Sequence, residues 1–288
     1  MIDAPHIKSG QSGNGASHAA LSAQRLTLQA GERMLLDTFT HTFHTGEIWC
    51  VAGPNGAGKT TLLSTLAGLR APSAGQVELD GVRVGDWQAL PLAQRRALMP
   101  QSTPDAFSAS VLDIVLLNRF PHLGGWGWER EADRETAYAA LDLLGLAPLA
   151  ARDVLSLSGG ERQRVALAAV LCQQAPLLLL DEPLSHLDLH HQIGCLDALH
   201  AWVREPGRTV LFSCHDLNLA RRFATHALLL DGQGHAFAGA VRDVLTPELT
   251  SRTFGYPMVL IRDGAHEALI PALRPNHESA SSYDFPAG

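Results

Sequence analysis

Eight residues, Gly53-Pro54-Asn55-Gly56-Ala57-Gly58-Lys59-Thr60, constrain this chain more than any other stretch. They match G-x-x-x-x-G-K-[ST], with the β-prone Ile48-Trp49-Cys50-Val51-Ala52 before them and the helix-compatible Thr61-Leu62-Leu63 after them. Glycines at 53, 56 and 58 let the backbone turn its N–H groups inward around an anionic phosphate, at the positive end of the following helix. In such a cradle Lys59 reaches the β- and γ-phosphates and the Thr60 hydroxyl is placed to ligate Mg²⁺. A glycine-rich turn that fits by chance accounts for the glycines, but not for the strand in front or for Lys-Thr at the right place. On its own the loop specifies a nucleotide and no particular task.

Length and composition narrow the class. With 288 residues there is room for one large or two small domains. The longest apolar runs, Val165 to Cys172 and Leu177 to Leu180, fall far short of the roughly 20 residues that span a bilayer. Met1 to His18 is rich in Gly, Ser and Ala without a charged and then apolar leader pattern, so a disordered tail over residues 1–20 is expected. Its glycines, at 10, 13 and 15, follow no strand and do not make a second nucleotide loop. The stretch 274–288, Ser-rich and acidic, is expected to be a second disordered tail. Lys plus Arg total 22 against 29 Asp plus Glu, a formal net charge of −7, so no global basic field recommends nucleic acid as a partner. Cys50, Cys172, Cys195 and Cys214 are scattered without CxxC spacing and read as buried thiols in a reducing cytoplasm. His186, His190 and His191 lack an evident acidic or thiol partner at ligand spacing and read as ordinary polar histidines at a loop-to-helix junction.

Periodicity supplies the organisation. Leu21 to Glu47 predicts two or three short antiparallel strands, and Gln76 to Gly81 alternates strictly and closes on Asp-Gly, a hairpin signal. The helix after Lys59 is expected to stop near Gly68, Leu92 to Ala97 to be a short helix, and Ala97 to Gln101 a strand. Ser110 to Arg119 and Arg130 to Leu144 predict helices, the second with Tyr138, Leu141 and Leu144 on one face; Trp126 and Trp128 between them read as packing anchors. Further helices are expected over Arg162 to Gln173, Ile193 to Val203 and Leu217 to Phe223, with strands at Leu177 to Leu180 and Thr209 to Cys214, and a terminal hairpin over Ala227 to Ala240. Repeated strand–helix alternation around a phosphate loop predicts a mainly parallel, doubly wound α/β sheet.

A γ-phosphate hydrolase needs cation ligands, a group that orients water and donors on the terminal phosphate. Asp181 and Glu182 follow four leucines, where an open α/β sheet presents ligand-binding groups; Asp181 suits Mg²⁺ and Glu182 the attacking water. Gln101 and His215 end two further β-like runs. Leu157-Ser158-Gly159-Gly160-Glu161, entering a helix, makes a second anion site, although Ser158 and Glu161 also have capping-box spacing. Two phosphate-binding loops in one chain suggest that the second serves another subunit's nucleotide.

In this order Gly53 to Thr60, Gln101, Leu157 to Glu161, Leu177 to Glu182, Ser185-His186-Leu187-Asp188 and His215 resemble an ABC transporter ATPase over about Leu21 to Ala240. The resemblance implies a P-loop NTPase fold: one domain over 21–273, with a RecA-like core, an N-terminal antiparallel β subdomain and a helical subdomain inserted at about 102–158. It implies ATP and Mg²⁺ as cofactors, with Gly53, Pro54, Asn55, Gly56, Ala57, Gly58, Lys59, Thr60 and Thr61 on the nucleotide. Ser158, Gly159, Gly160 and Asp188 would complete the nucleotide of an opposite copy. Glu182 would be the catalytic carboxylate, His215 the switch histidine and Gln101 the sensor, with Thr60, Gln101 and Asp181 around the metal. Such ATPases often stack adenine on an aromatic residue in the first hairpin; the equivalent place is near Ala30 and has none. Asn118 to Leu123, Trp126 to Ala132, His215 to Asn218 and Leu245 to Leu249 with Phe254-Gly255 are similar to importers of iron–siderophore, haem and cobalamin. That implies a homodimer on integral-membrane permease subunits at the cytoplasmic face of the inner membrane, served by a periplasmic binding protein. The rival expectations are a soluble ABC-type ATPase of an assembly or DNA-maintenance complex, and a small-molecule kinase; neither a long coiled-coil insertion nor zinc-spaced cysteines support the first, and the second gives no reason for Leu157 to Glu161.

Overall fold

The computed structural model describes residues 19–101, 108–123, 129–264 and 266–273. The two expected tails, apart from Ala19 and Ala20, lie outside them, as do Trp126 and Trp128. The chain opens with two long antiparallel strands, β1 (Ala19–Ala30) and β2 (Arg33–His44), not two or three short ones. Folded structure therefore starts before Leu21. Register shifts break the ladder between Ala23 and Leu26, and Arg25 and Thr38 both take positive φ. Each bulge resets the inward and outward alternation, so one strand reads in sequence like fragments.

Next come β3 (Ile48–Ala52) and α1 (Lys59–Leu66), then β4 (Ala74–Leu79) and β5 (Val82–Arg83) around the Asp80-Gly81 turn. α2 (Ala89–Arg95) begins three residues and ends two residues earlier than expected, and β6 (Arg96–Met99) follows it directly. α3 (Val111–Leu117) starts from Ser110, whose hydroxyl accepts the Asp113 N–H, and α4 (Glu131–Leu143) follows. α4 buries Ala137, Ala140 and Leu141, whereas Tyr138 faces out, 43% exposed. One residue of rotation, about 100° on a helix, separates those faces. α5 (Gly159–Cys172) and α6 (Leu189–Val203) begin three and four residues earlier than expected, because Ser158 and Asp188 cap them. β7 (Leu177–Leu180) lies between them, followed by β8 (Thr209–Ser213), α7 (Leu217–Phe223), β9 (His226–Leu230) and β10 (Ala236–Ala240). The β9–β10 hairpin is not terminal: α8 (Val241–Val244), α9 (Pro247–Phe254) and a second hairpin of β11 (Met258–Asp263) and β12 (His266–Pro271) come after it.

The central sheet has the order β10-β9-β3-β8-β7-β6 and is parallel except for β10; a smaller sheet, β2-β1-β4-β5, is antiparallel. Its core strands are apolar on both faces because both faces are covered. Ile48, Cys50 and Ala52 point into the core shared with α3 to α7, while Trp49 and Val51 point into the core shared with α1 and the antiparallel sheet. Leu178 with Leu180, and Leu177 with Leu179, divide in the same way. The phosphate-loop strand β3 sits between β8 and β9, so the loop emerges at the carboxyl edge of the sheet between strands distant in sequence.

The end of α3 is tied to α4 and α5 by charge. Arg119, its side chain 12% exposed, pairs with Asp133 at 2.9 Å and donates to the Cys172 carbonyl at 3.1 Å, while His122 Nε2 stands 2.7 Å from the Gln173 carbonyl. Cationic or polar groups on the last carbonyls of α5 satisfy acceptors that the helix itself leaves open.

Candidate nucleotide-binding site

The loop after β3 is built for close approach. A side chain at Gly53, where φ is 147°, would put its Cβ 2.4 Å from the Leu230 carbonyl oxygen, so β9 presses directly on the loop. Lys59 opens α1 with only 6% of its surface exposed, and its Nζ donates to the Gly53 carbonyl at 3.0 Å and the Pro54 carbonyl at 3.2 Å. Burial lowers its pKa, and Glu182 and Asp181 pull it back up. A desolvated lysine on carbonyl oxygens is poised for a stronger, anionic acceptor. Ala57 is buried beneath the loop, while Asn55, Gly56, Gly58, Thr60 and Thr61 join Lys59 on the wall of a cavity of about 610 Å³.

Three of the other expected residues complete that wall: Gln101, Glu182 and His215. Glu182 follows β7, and its Oε1 stands 2.8 Å from His215 Nε2. Its backbone is held in a left-handed conformation, φ 51°, with the carbonyl accepting from Gln163 Nε2 at 2.8 Å and Ser185 Oγ at 3.0 Å. Such a conformation is sparsely populated for a non-glycine residue and persists only where several contacts fix it. Asp181 is 2% exposed; its Oδ1 accepts from Ser213 Oγ at 2.7 Å, and Ser213 Oγ in turn accepts the Glu182 N–H at 2.7 Å. Ser213 therefore locks both carboxylate residues to β8. Sequence reasoning missed Ser213, Gln163 and Arg33; Ser213 is the polar end of an otherwise apolar strand, and Gln163 is flanked by two arginines where an exposed helix face is the simpler reading.

Asp181 Oδ2 is buried and has no hydrogen-bond partner. An orphaned carboxylate oxygen behind a cavity that also carries Thr60 and Gln101 fits a hard cation such as Mg²⁺, which takes oxygen ligands.

The second loop is elsewhere. Ser158 caps α5 with its hydroxyl accepting the Glu161 N–H at 3.2 Å, and Glu161 Oε2 accepts the Ser158 N–H at 2.7 Å, a complete capping box. A Cβ at Gly160 would come within 3.1 Å of the His186 carbonyl, so one glycine is required by packing inside the chain. Neither Ser158, Gly160 nor Asp188 lines the phosphate-loop cavity. Gly159 instead lines a second cavity of about 570 Å³, together with Gln163, His186, Ile114 of α3 and Asn118, which caps its C-terminal end. Gln101 belongs to both cavities. Asp188 caps α6 through the His191 N–H at 2.9 Å and also meets His191 Nδ1 at 2.8 Å. That histidine does have an acidic partner, one helical turn away, contrary to the sequence reading. Among the described residues no group of three His, Cys, Asp or Glu is placed to hold a metal ion. The four thiols are free and buried.

Residues 36–185 match the family model described as ABC transporter. The hemin import ATP-binding protein of Pseudomonas entomophila is 43% identical over 246 residues, which is 83% of this chain and 94% of that protein. A solved structure of an inward-facing metal-chelate type ABC transporter superposes with a TM-score of 0.77 at 32% identity, covering 89% of this chain and 99% of that one. A dimeric ATP-binding cassette in its post-hydrolysis state, bound to ADP and Pi, superposes at 0.67 and 26% identity, covering 77% and 99%.

Proposed function

The chain belongs to the family of ABC transporter ATPases, and from that premise we propose that it is the ATP-hydrolysing subunit of a metal-chelate importer, working as a homodimer on a membrane-spanning permease. No helix among the described residues is long and apolar enough to cross a membrane. The similarity to a hemin import protein and to a metal-chelate transporter supports the cargo class.

The observation that carries the dimer is the division of the site. Lys59, Thr60, Gln101, Glu182 and His215 meet around one cavity, while the exposed start of α5 offers unspent anion-binding groups outside it. Ser158 spends one acceptor lone pair on its cap, so its O–H stays free to donate to a phosphate oxygen. A second copy facing the first would place Ser158 and Gly160 on the terminal phosphate held by Lys59, with Asp188 beside the junction. Asp181, Thr60 and Gln101 would hold Mg²⁺, which when bound neutralises charge on the phosphates.

Glu182 orients the attacking water and takes its proton, and His215, at hydrogen-bond distance, holds the carboxylate in place. Gln101 joins the nucleotide cavity to the groove between α3 and α5, which suits it to pass the state of the site to a permease helix docked there. Purification of the chain with its neighbouring gene products tests the reading: a polytopic partner that stimulates ATP hydrolysis supports it, and a stable complex with soluble partners alone overturns it.

A further inference from the structure

Helix α5 touches the segment that carries Glu182 at two points, and both are strained. Gln163 Nε2 donates to the Glu182 carbonyl at 2.8 Å, and that carbonyl also accepts from Ser185 Oγ at 3.0 Å. Nearer its start, α5 packs so closely on the His186 carbonyl that a Cβ at Gly160 would come within 3.1 Å of it. Glu182 and His186 are both left-handed, with φ of 51° and 62°, a conformation that a non-glycine residue keeps only where contacts hold it. Ser213 on β8 holds the N–H of Glu182, so the carbonyl of Glu182 is the side that answers to α5.

We propose that Gln163 is a positioning residue that couples the two nucleotide sites of the dimer: as the start of α5 seats on the partner's terminal phosphate, the Gln163 amide carries that movement to Glu182 of its own chain and sets the carboxylate for hydrolysis. The inference rests on the dimer reading above. Gln163 does not line the nucleotide cavity, so it acts through Glu182 and not on the nucleotide. Its hydrogen bond weakens steeply as the angle opens, so a small shift of the helix is felt at the Glu182 peptide. Close packing at Gly160 and His186 leaves little slack between helix and segment. Contacts of this kind switch between discrete arrangements, which lets a sub-ångström shift at one site be amplified at another. The helix that senses the partner's nucleotide thereby prepares the carboxylate that acts on its own chain's nucleotide, and the coupling is reciprocal because the dimer is symmetric.

Heterodimers of two differently tagged full-length copies test this, read as ATP turnover at a concentration where sedimentation shows the dimer. The reference pairs wild type with Glu182→Gln, which leaves one working site. Gln163→Met keeps the length of the side chain and removes the donor. Placed in the copy opposite Glu182→Gln it lowers the reference rate by about 10-fold to 10²-fold, and placed in the same copy it leaves that rate unchanged. Ser158→Asp in the copy opposite Glu182→Gln gives a similar loss, although the residues around the working nucleotide are then all wild type. Gln163→Glu, which turns an acceptor toward the carbonyl, repeats the Gln163→Met result and serves in its place if that variant fails to fold. Equal rates in the two Gln163 arrangements, or the full reference rate with Ser158→Asp, overturn the inference and leave the ATPase reading standing. A wild-type chain that hydrolyses ATP as a monomer overturns the dimer reading with it.

Discussion

Two loops of this molecule enter helices with the same equipment, glycines, a hydroxyl and exposed N–H groups, and they are put to different uses. The loop before α1 is pressed between β9 and the carboxylates, and its lysine is buried on its own carbonyls. The loop before α5 satisfies itself with a capping box and stands apart from that cavity. The first is a site that lacks donors on its open side; the second is a set of donors that lacks a site. On the proposed reading a chain carrying one of each is half of a symmetric pair, since two copies related by a two-fold axis would supply each other.

The comparison breaks most sharply at Glu182. Glu182→Gln keeps the size and the His215 contact but loses the base, so turnover falls by about 10³-fold while ATP stays bound. Sedimentation with ATP should then show an accumulated dimer. Ser158 gives the next effect, about 10²-fold on turnover from losing one phosphate donor. Ser158→Asp sharpens the point, because aspartate still caps α5 but repels phosphate: the subunit should unfold at the wild-type temperature, bind ATP through Lys59 and hydrolyse it poorly. If Ser158→Asp hydrolyses ATP normally, the second loop is only a cap.

Asp133→Ala separates the regions by stability. Removing it leaves the largely buried Arg119 without its ion-pair partner, held only by the Cys172 carbonyl, at a cost of about 3 kcal/mol. Hydrogen exchange should rise over α3 and α4 first, with ATP affinity at the phosphate loop retained. The smallest effect is alkaline. Burial pushes the thiols of Cys172 up to about 12 and Cys195 up to about 11, from 9.0. Their neutral forms favour the folded state, a contribution fully present below pH 9.0 and lost as pH rises through the folded values. Urea midpoints should fall above pH 9.0, less steeply for Cys172→Ala and Cys195→Ala.

Much of this was legible in sequence where chemistry demands fixed residue types at fixed spacing. The phosphate loop, the Leu177 to Glu182 strand end and the Ser158 cap each carry that signature. The long strands β1 and β2 were not legible, because bulges near Arg25 and Thr38 scramble the alternation that marks a strand. The last hairpin escaped because β11 and β12 expose Val259, Ile261 and Ile270 as well as burying Leu269, leaving no clean contrast between faces. Ser213 and Gln163 acquire their roles only through partners 31 and 19 residues away. No local pattern encodes a contact of that kind.

The division of the site between two copies is tested most directly by the ATPase rate per subunit as a function of protein concentration. If Ser158 and Gly160 of a second copy complete the cavity around Lys59, the rate per subunit rises with concentration and levels off once sedimentation shows the dimer formed. A rate per subunit that stays constant at dilutions where the chain sediments as a monomer contradicts it.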